Sequence, residues 1–398
     1  MISLVYRALL RTIVMIASFV PQHKRRIVFC SYGGKGVGSD PGVIATYLAH
    51  RYNDLDIVWM LVNLSSQVPA GIRKAKIVDW SKSIFGQIFT LLRSSAMFSS
   101  AQVVVCDSKG NQFRKNKNSL YIQTWHGDLP FKFIEGECVD ALGKEHERIS
   151  AVDSQQTDVV LSGSSFMSEI FRKFFWLPAK CKILEVGLPR DDIYFSPGLE
   201  VRKKVCATLE FSAQTHIAVY APTFRDNGDV GVYNSIDFKQ VIDSLTKRFS
   251  GTWKIVVRLH PNVDSGKVLI HYDENVINAS DYPCGEELFA AADLLISDAS
   301  SVVKEFMMMR KPIFIFFPDY AEYSQTCRAL RPLFFQLPFR RCGSMRALVE
   351  EISNFNQEVA SAQINEFLSR NNIRFFDDGH ATERIADLIV KYIRGESL

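Results

Sequence analysis

The chain has 398 residues, 47% of them hydrophobic and 23% charged, with a formal net charge of +4. This length exceeds one ordinary hydrophobic core, so we expect two globular domains. The small net charge argues against a nucleic-acid partner, and none of the eight cysteines forms a CxxC pair that would predict a zinc or thioredoxin site.

The first 25 residues are mostly apolar, but Arg7 and Arg11 interrupt the run, and the basic stretch 23–26 follows Pro21. Two arginines count against a spanning helix, which needs about 20 apolar residues with few charges. We therefore expect residues 1–25 to form an amphipathic helix on a membrane surface, with residues 1–26 meeting anionic lipid. A helix packed in a core or on a partner, and a true membrane anchor, are the alternatives.

Residues 26–190 alternate between apolar runs typical of buried strands and segments typical of helices. The predicted strands are 26–31, 57–62, 75–78, 103–106, 119–122, 158–162 and 182–187. Continuous apolar strands separated by helices indicate a parallel sheet covered on both faces. We therefore predict an α/β domain over residues 26–190.

The same rhythm resumes in residues 191–375, which we predict to be a second α/β domain. Its predicted strands are 217–221, 253–259, 275–278, 294–297 and 312–317. A C-terminal helix is expected within residues 376–398.

A histidine follows the predicted strand 119–122, in the segment Gln123-Thr124-Trp125-His126-Gly127-Asp128-Leu129-Pro130-Phe131-Lys132. Gly127 and Pro130 end the strand, so His126 falls at its carboxyl end, where α/β folds place their ligands. Taken alone, His126 is more often a structural residue in a strand-to-loop corner. As a site it would include the neighbouring side chains of Trp125, Asp128 and Lys132 and the backbone at Gly127.

Polar residues also follow three predicted strands of the second domain. They are Thr223 and Arg225, His260, and the turn Asp298-Ala299-Ser300-Ser301. A capping oxygen and serine hydroxyls at a helix start favour anion binding, and an arginine offers a fork of donors that suits a diphosphate. A plain helix cap explains the turn equally simply. The set points to a two-domain transferase because all of these residues fall at strand ends.

Four motifs occur in the order and spacing of one enzyme family. They are Thr124-Trp125-His126-Gly127, Tyr220-Ala221-Pro222-Thr223-Phe224-Arg225-Asp226, Arg258-Leu259-His260-Pro261 and Ser297-Asp298-Ala299-Ser300-Ser301. The chain resembles the CDP-glycerol glycerophosphotransferases, which prime or polymerise teichoic acids and related capsule polymers. Further landmarks are Ser39-Asp40-Pro41 and Asp378-Gly379-His380-Ala381-Thr382-Glu383-Arg384.

The chain departs from the pattern of this family at several positions. Asp128-Leu129 stands where the family usually has Thr-Pro, and Phe224 replaces the usual Trp. The region after Asp319-Tyr320 lacks a clear Pro-Gly-Pro turn. These departures bear on the identity of the polyol more than on the type of reaction.

The resemblance implies a GT-B-like fold: two Rossmann-like parallel-sheet domains with the active site in the cleft between them. Residues 26–190 would form the acceptor side, and residues 191–375 would bind the CDP donor. By the same resemblance, His126 would be the base facing the acceptor, and His260 would contact the diphosphate. Thr223, Arg225, Asp298, Ser300 and Ser301 would make up the donor-phosphate site.

The implied reaction transfers a polyol phosphate, most simply glycerol phosphate, from a CDP-activated donor to a hydroxyl of a lipid-linked or polymeric acceptor, and releases CMP. It would take place at the cytoplasmic face of the cell membrane, with the protein attached peripherally. No cofactor is certain, and the CDP-polyol is a substrate. A divalent metal is left open, although no residue cluster indicates one, and a homo-oligomer is left open as well. The alternatives are a GT-B glycosyltransferase that uses a nucleotide sugar, and a non-catalytic membrane-surface protein that binds a nucleotide or a polysaccharide.

Overall fold

A computed structural model describes residues 4–77, 84–110, 113–195, 199–260, 263, 265–327 and 329–396 of the chain. The predicted motif residue Pro261 lies outside the described residues. The chain forms two compact units: unit 1 is Met1–His126, Glu135–Asp192 and Phe376–Leu398, and unit 2 is Gly127–Ile134 and Ile193–Phe375.

Unit 1 is built on a seven-stranded sheet in which every pair of neighbours is parallel. Its strands are β1 Arg26–Cys30, β2 Asp56–Leu61, β3 Arg73–Lys76, β4 Val103–Cys106, β5 Leu120–Gln123, β6 Val159–Ser162 and β7 Lys182–Glu185. The order β3-β2-β1-β4-β5-β6-β7 begins with the strand order of a Rossmann-type sheet. The predicted parallel sheet is therefore confirmed.

Helices cover both faces of this sheet. They are α1 Leu4–Ala17, α2 Ser39–Arg51, α3 Ile84–Ser100, α4 Val139–Leu142, α5 Lys144–Ser154 and α6 Ser165–Phe174. Helices α4 and α5 are separated at Gly143, whose φ of +87° does not continue a helix. The edge strand β3 lies two residues before its predicted position, because its charged sequence gives no apolar run to locate it.

Helix α1 has two different sides. Leu10, Ile13 and Val14 are buried in a cluster that includes Leu91 and Phe98 of α3. The opposite side is open, since Ile16 is 59% exposed and Phe19, just after the helix, is 80% exposed. None of the helices in the described part of the chain has the length and apolar character that a membrane span requires.

Unit 2 is built on a six-stranded parallel sheet in the order β10-β9-β8-β11-β12-β13. The strands are β8 His216–Tyr220, β9 Trp253–Val257, β10 Val276–Asn278, β11 Leu294–Ser297, β12 Ile313–Phe316 and β13 Arg341–Cys342. The helices are α7 Leu199–Thr208, α8 Gly231–Asn234, α9 Phe238–Phe249, α10 Gly285–Ala291, α11 Val303–Met309, α12 Tyr320–Thr326, α13 Met345–Asn354 and α14 Gln357–Arg370. The two-residue strand β13 is too short to be visible in the sequence pattern.

The last helix, α15 Ala381–Arg394, belongs to unit 1. Ile385, Ala386 and Ile389 are buried in the same cluster as residues of β1, β2 and α2. The loop before the helix also contacts unit 1, because the side chain of Asp377 accepts a hydrogen bond from the backbone N–H of Leu188 at 2.7 Å. The sequence predicts this helix but treats 376–398 as a separate element, whereas the structure makes it part of the core of unit 1.

A second difference concerns residues 127–134, which the sequence assigns to the first domain. They group with unit 2 because the N–H of Arg331 donates to the carbonyl of Phe131 at 2.7 Å and the N–H of Phe133 donates to Ala329 at 3.3 Å. The ring of Phe131 also packs edge-on against Phe334. We call this stretch the 127–134 segment below.

Candidate active site

His126 stands at the carboxyl ends of three neighbouring strands of unit 1. Its Nδ1 lies 2.9 Å from the backbone carbonyl oxygen of Asp107, the residue after β4. A carbonyl can only accept, so Nδ1 carries the proton and the lone pair of the neutral ring is on Nε2. The strand-end position predicted for His126 is confirmed, and the structure adds a defined tautomer.

Asp107 is itself held in place from β1. Its carboxylate accepts hydrogen bonds from the backbone N–H of Tyr32, at 2.8 Å, and from the hydroxyl of Ser31, the residue after β1. Burial raises the pKa of Asp107, and its hydrogen bonds to Ser31 and Tyr32 oppose that rise. The sequence analysis missed Asp107 and Ser31; the available signal was that each directly follows a strand ending in cysteine.

Trp125 supports the imidazole and is itself buried. Its ring centroid lies 4.0 Å from that of His126, and it meets Phe175 edge-on at 4.8 Å. Its φ of +60° is unusual for a bulky residue, and its backbone N–H donates to the side chain of Gln123 at 2.9 Å. Trp125 therefore forms part of the turn that leads to His126, and its predicted acceptor-side role stays a prediction.

In unit 2 the carboxyl ends of the strands carry a second group of polar residues. The side chain of His260 follows β9 and stacks on Phe224, with ring centroids 5.6 Å apart. Lys132, from the 127–134 segment, donates to the carbonyl oxygen of Phe224 at 3.3 Å. Lys132 was predicted on the acceptor side beside His126, and the structure places it in unit 2 with Phe224 and His260 instead.

Both imidazoles remain accessible to solvent, yet the protein around them displaces part of their hydration. This desolvation lowers the pKa of His126, although the carbonyl and the carboxylate of Asp107 oppose the shift. Desolvation also lowers the pKa of His260, and the positive charge of Lys132 adds to the effect. Both rings are therefore mostly neutral at neutral pH.

Arg225 is buried and paired with two carboxylates. The guanidinium is 2% exposed and binds Asp319 through two hydrogen bonds of 2.7 and 2.9 Å, with Asp298 at 2.8 Å. Burial disfavours the charge, but the two carboxylates outweigh it and raise the pKa of Arg225. The guanidinium thereby joins the loop after β8 to Asp298 and Asp319. The predicted contact of Arg225 with a donor phosphate stays a prediction. Asp319 was not anticipated.

Asp298 and Thr223 are likewise engaged with each other. The carboxylate of Asp298 accepts from both the N–H and the hydroxyl of Thr223. This locks the loop after β8 to the loop after β11. The predicted contacts of these two residues with donor phosphates stay predictions.

Ser300 and Ser301 lie before α11, which begins at Val303 with Val302 at its N-cap. The predicted cap by Asp298 or a serine is therefore wrong. Both serines remain partly accessible, and they are the hydroxyl groups of this turn that a ligand can reach.

The side chain of Asp128 is buried, and its predicted acceptor-side role stays a prediction. Its carboxylate is 3.7 Å from the ammonium group of Lys304 in α11, and both side chains are buried. Gly127 keeps open space around it, since a Cβ at that position would meet nothing within 4 Å. Among the described residues, no three His, Cys, Asp or Glu side chains come together as a metal site would require.

Each of the two units, with a parallel sheet and a histidine at the carboxyl ends of its strands, belongs to the class of α/β folds that bind ligands at those strand ends. Within this class, residues 12–391 match the family described as CDP-glycerol:poly(glycerophosphate) glycerophosphotransferase. The chain belongs to this family, and the predicted family and enzyme class are confirmed.

Relatives of known type agree with this assignment. The chain is 28% identical over 382 residues to the teichoic acid poly(glycerol phosphate) polymerase of Staphylococcus epidermidis, covering 93% of this chain and 51% of the relative. It is 27% identical to the enzyme of the same description from Bacillus spizizenii, covering 85% and 84% of the two chains. The chain thus spans about half the length of the S. epidermidis protein.

A solved structure shares the whole fold. The wall teichoic acid polymerase TagF superimposes with a TM-score of 0.79 at 26% identity, over 97% of this chain and 93% of that one. The fold with two parallel α/β sheets is therefore shared with this teichoic acid polymerase.

Proposed function

We propose that the protein transfers glycerol phosphate from CDP-glycerol to a hydroxyl of a lipid-linked or polymeric teichoic-acid-like acceptor, and releases CMP. Beyond the family assignment, the observation that carries this proposal is the tautomer of His126. A hydroxyl is a poor nucleophile at neutral pH, and an accessible imidazole with its lone pair on Nε2 is suited to take its proton. The relatives named as poly(glycerol phosphate) polymerases support glycerol as the polyol.

In the proposed reaction the acceptor O–H donates its proton to Nε2 of His126 while the oxygen attacks the phosphorus bonded to glycerol. The bond between that phosphorus and the bridging oxygen breaks, and CMP leaves with the electron pair. Asp107 keeps the ring in the required tautomer through its carbonyl and stabilises the imidazolium that forms through its carboxylate. His126 acts on the acceptor, as the sequence analysis suggests.

The leaving CMP gains negative charge, so the donor site must supply positive groups and hydrogen-bond donors. Lys132 and His260 are close enough for Lys132 to depress the pKa of the imidazole, and an anionic diphosphate bound beside them would relieve that repulsion. We assign the donor phosphates to His260, Lys132, Ser300 and Ser301. Arg225, Asp298 and Thr223 hold the loops that present them.

We also propose that the protein attaches peripherally to the cytoplasmic face of the membrane through α1 and α3. Phe85 is 85% and Phe89 60% exposed on α3, which packs against α1 with its exposed Ile16. Exposed aromatic and aliphatic side chains on two helices in contact are suited to insertion at the headgroup boundary. The basic residues Lys24 and Arg25 lie in the loop between α1 and β1 and could meet anionic lipid.

The decisive experiment is incubation of the protein with CDP-glycerol or CDP-ribitol and a lipid-linked acceptor, with CMP and product measured by mass spectrometry. We expect CMP and a new phosphodiester with CDP-glycerol. His126→Ala should abolish transfer and leave donor binding intact, whereas His260→Ala should weaken donor binding in calorimetry. Release of a nucleoside diphosphate with formation of a glycoside would overturn the proposal in favour of a glycosyltransferase. Donor binding without any turnover would favour a binding protein.

A further inference from the structure

The buried ion pair between Asp128 and Lys304 lies within unit 2 and joins the 127–134 segment to α11. Asp128 lies two residues after His126, and Lys304 lies three residues after Ser301. Their charged groups are 3.7 Å apart, and neither side chain is more than 2% exposed. A buried pair must offset a large loss of hydration, so its presence is weak evidence for stability alone.

The 127–134 segment is attached to unit 2 at both of its ends, by different means. Its far end is held by backbone hydrogen bonds to residues 329–331 and by the packing of Phe131 on Phe334. Its near end, next to His126, carries the ion pair between Asp128 and Lys304 and the buried side chain of Leu129. Loss of the pair therefore loosens the end that leads to the imidazole, while the far end stays in place.

Helix α11 does not depend on the pair in the same way. Val303, Phe306 and Met307 are buried around Lys304 and fix the helix in the unit. A change at Lys304 should therefore leave the preceding serines in position. The pair acts mainly on the 127–134 segment.

We infer that Asp128 and Lys304 are a positioning pair for the transfer reaction, fixing the backbone that leaves His126 to the helix that follows the donor serines. The inference rests on the proposed function. It also gives a physical meaning to Asp128-Leu129, the point at which this chain departs from the Thr-Pro of the family it resembles. In this inference the carboxylate of Asp128 pairs with Lys304 and does not contact the acceptor.

The test is a double-mutant cycle with Asp128→Asn, Lys304→Met and the combined variant. Each single change leaves a charge buried beside a neutral partner and should lower the melting temperature, whereas the combined change removes both charges and should restore much of it. The combined variant should still lose about 100-fold in kcat, because a misplaced catalytic group costs that much. Its Kd for CDP-glycerol, measured by calorimetry, should stay near the wild-type value.

A matched control is the pair Arg202–Asp293, which also joins two elements of unit 2, at 3.0 Å. The double variant Arg202→Met/Asp293→Asn should lower the melting temperature without lowering kcat. If the Asp128→Asn/Lys304→Met variant recovers both melting temperature and kcat, the pair is structural and the inference is overturned. The same holds if kcat falls equally in the control.

A readout without turnover separates this inference from the proposed function. In isotope-labelled histidine spectra, the Asp128→Asn/Lys304→Met variant should shift the ring resonances of His126, whereas the control variant should not. If the wild type releases no CMP but these resonances shift, the function is wrong and the positioning role stands. Unchanged His126 resonances would overturn the positioning role whatever the activity.

Discussion

The tautomer of His126 is set by a backbone carbonyl, and that carbonyl belongs to a residue 19 positions earlier in the chain. The sequence shows that His126 follows a buried strand, because the apolar run and Gly127 mark the end of β5. It does not show that Asp107 is the partner, because that contact depends on β4 pairing beside β5. The partners of Arg225 are hidden in the sequence for a similar reason, because only the fold shows that Asp298 and Asp319 bind its guanidinium.

The pH dependence of turnover should follow His126 in its neutral form. Because desolvation lowers the pKa of His126 below its ordinary value of 6.5, kcat should be constant above that pH and fall only as the pH drops through the lower value. A profile of kcat over about pH 5 to 8 tests this. His50→Gln, a change of an exposed histidine on α2, should leave the profile unchanged; an acid limb with its midpoint above 6.5 would contradict the prediction.

Replacement of Arg225 should mainly lower the free energy of unfolding of the protein. Arg225→Met leaves the carboxylates of Asp298 and Asp319 without their buried guanidinium, a situation that typically costs about 3–5 kcal/mol. Urea unfolding would measure it. Lys247→Met on the exposed side of α9 is the control and should change the free energy of unfolding by less than about 0.5 kcal/mol. Equal effects of the two changes would refute the structural role of Arg225.

At the scale of elements, the sequence predicts the positions of the buried strands, but it predicts the elements around them less well. Parallel strands such as β1, β4 and β9 are continuous apolar runs because helices cover both faces of the sheet. The edge strand β3 is charged, and its predicted position lies two residues too late in the chain. Helix α1 illustrates the limit of periodicity: the sequence offers a surface helix or a core helix as alternatives, and the structure uses one side for the core and leaves the other open.

The open side of α1 and α3 gives a prediction about membrane attachment. Phe85→Glu combined with Phe89→Glu should reduce co-sedimentation with vesicles containing anionic lipid, because a charge opposes burial of the helix face at the headgroup boundary. Turnover with a water-soluble acceptor should be retained. The matched control is Val152→Glu on α5, which is also an exposed apolar position in unit 1, at 53%. Equal loss of binding in the control would contradict the assignment of the surface to α1 and α3.

For the whole molecule, the sequence predicts two α/β domains, with a boundary at residues 190–191 close to the observed end of a unit 1 segment at Asp192. It does not predict that the chain crosses between units at residues 126–127 and 134–135, or returns after Phe375. Such crossings depend on contacts between residues far apart in sequence, as for Ile389 of α15 with the strands of unit 1. Local patterns carry no signal for them.

The stability of unit 1 should therefore depend on α15. Ile389 is fully buried, so Ile389→Ala should cost about 2–5 kcal/mol through lost burial and the cavity it leaves. Hydrogen exchange should rise in β1 and β2 and stay unchanged in β8 and β9. Lys391→Ala, an exposed change on the same helix, is the control. A rise in exchange confined to unit 2 would show that α15 does not support the unit in which it is buried.

The position of α15 has a consequence for how the protein is made. Domains usually fold in the order in which the ribosome releases them, yet the unit that holds His126 lacks Ile385, Ala386 and Ile389 until the last helix emerges. The later unit, apart from the 127–134 segment already synthesised, is contained in residues 193–375 and has all its strands beforehand. The sheet of unit 2 can thus form first. A chain without α15 cannot complete the hydrophobic core of unit 1, the unit that holds the proposed base His126.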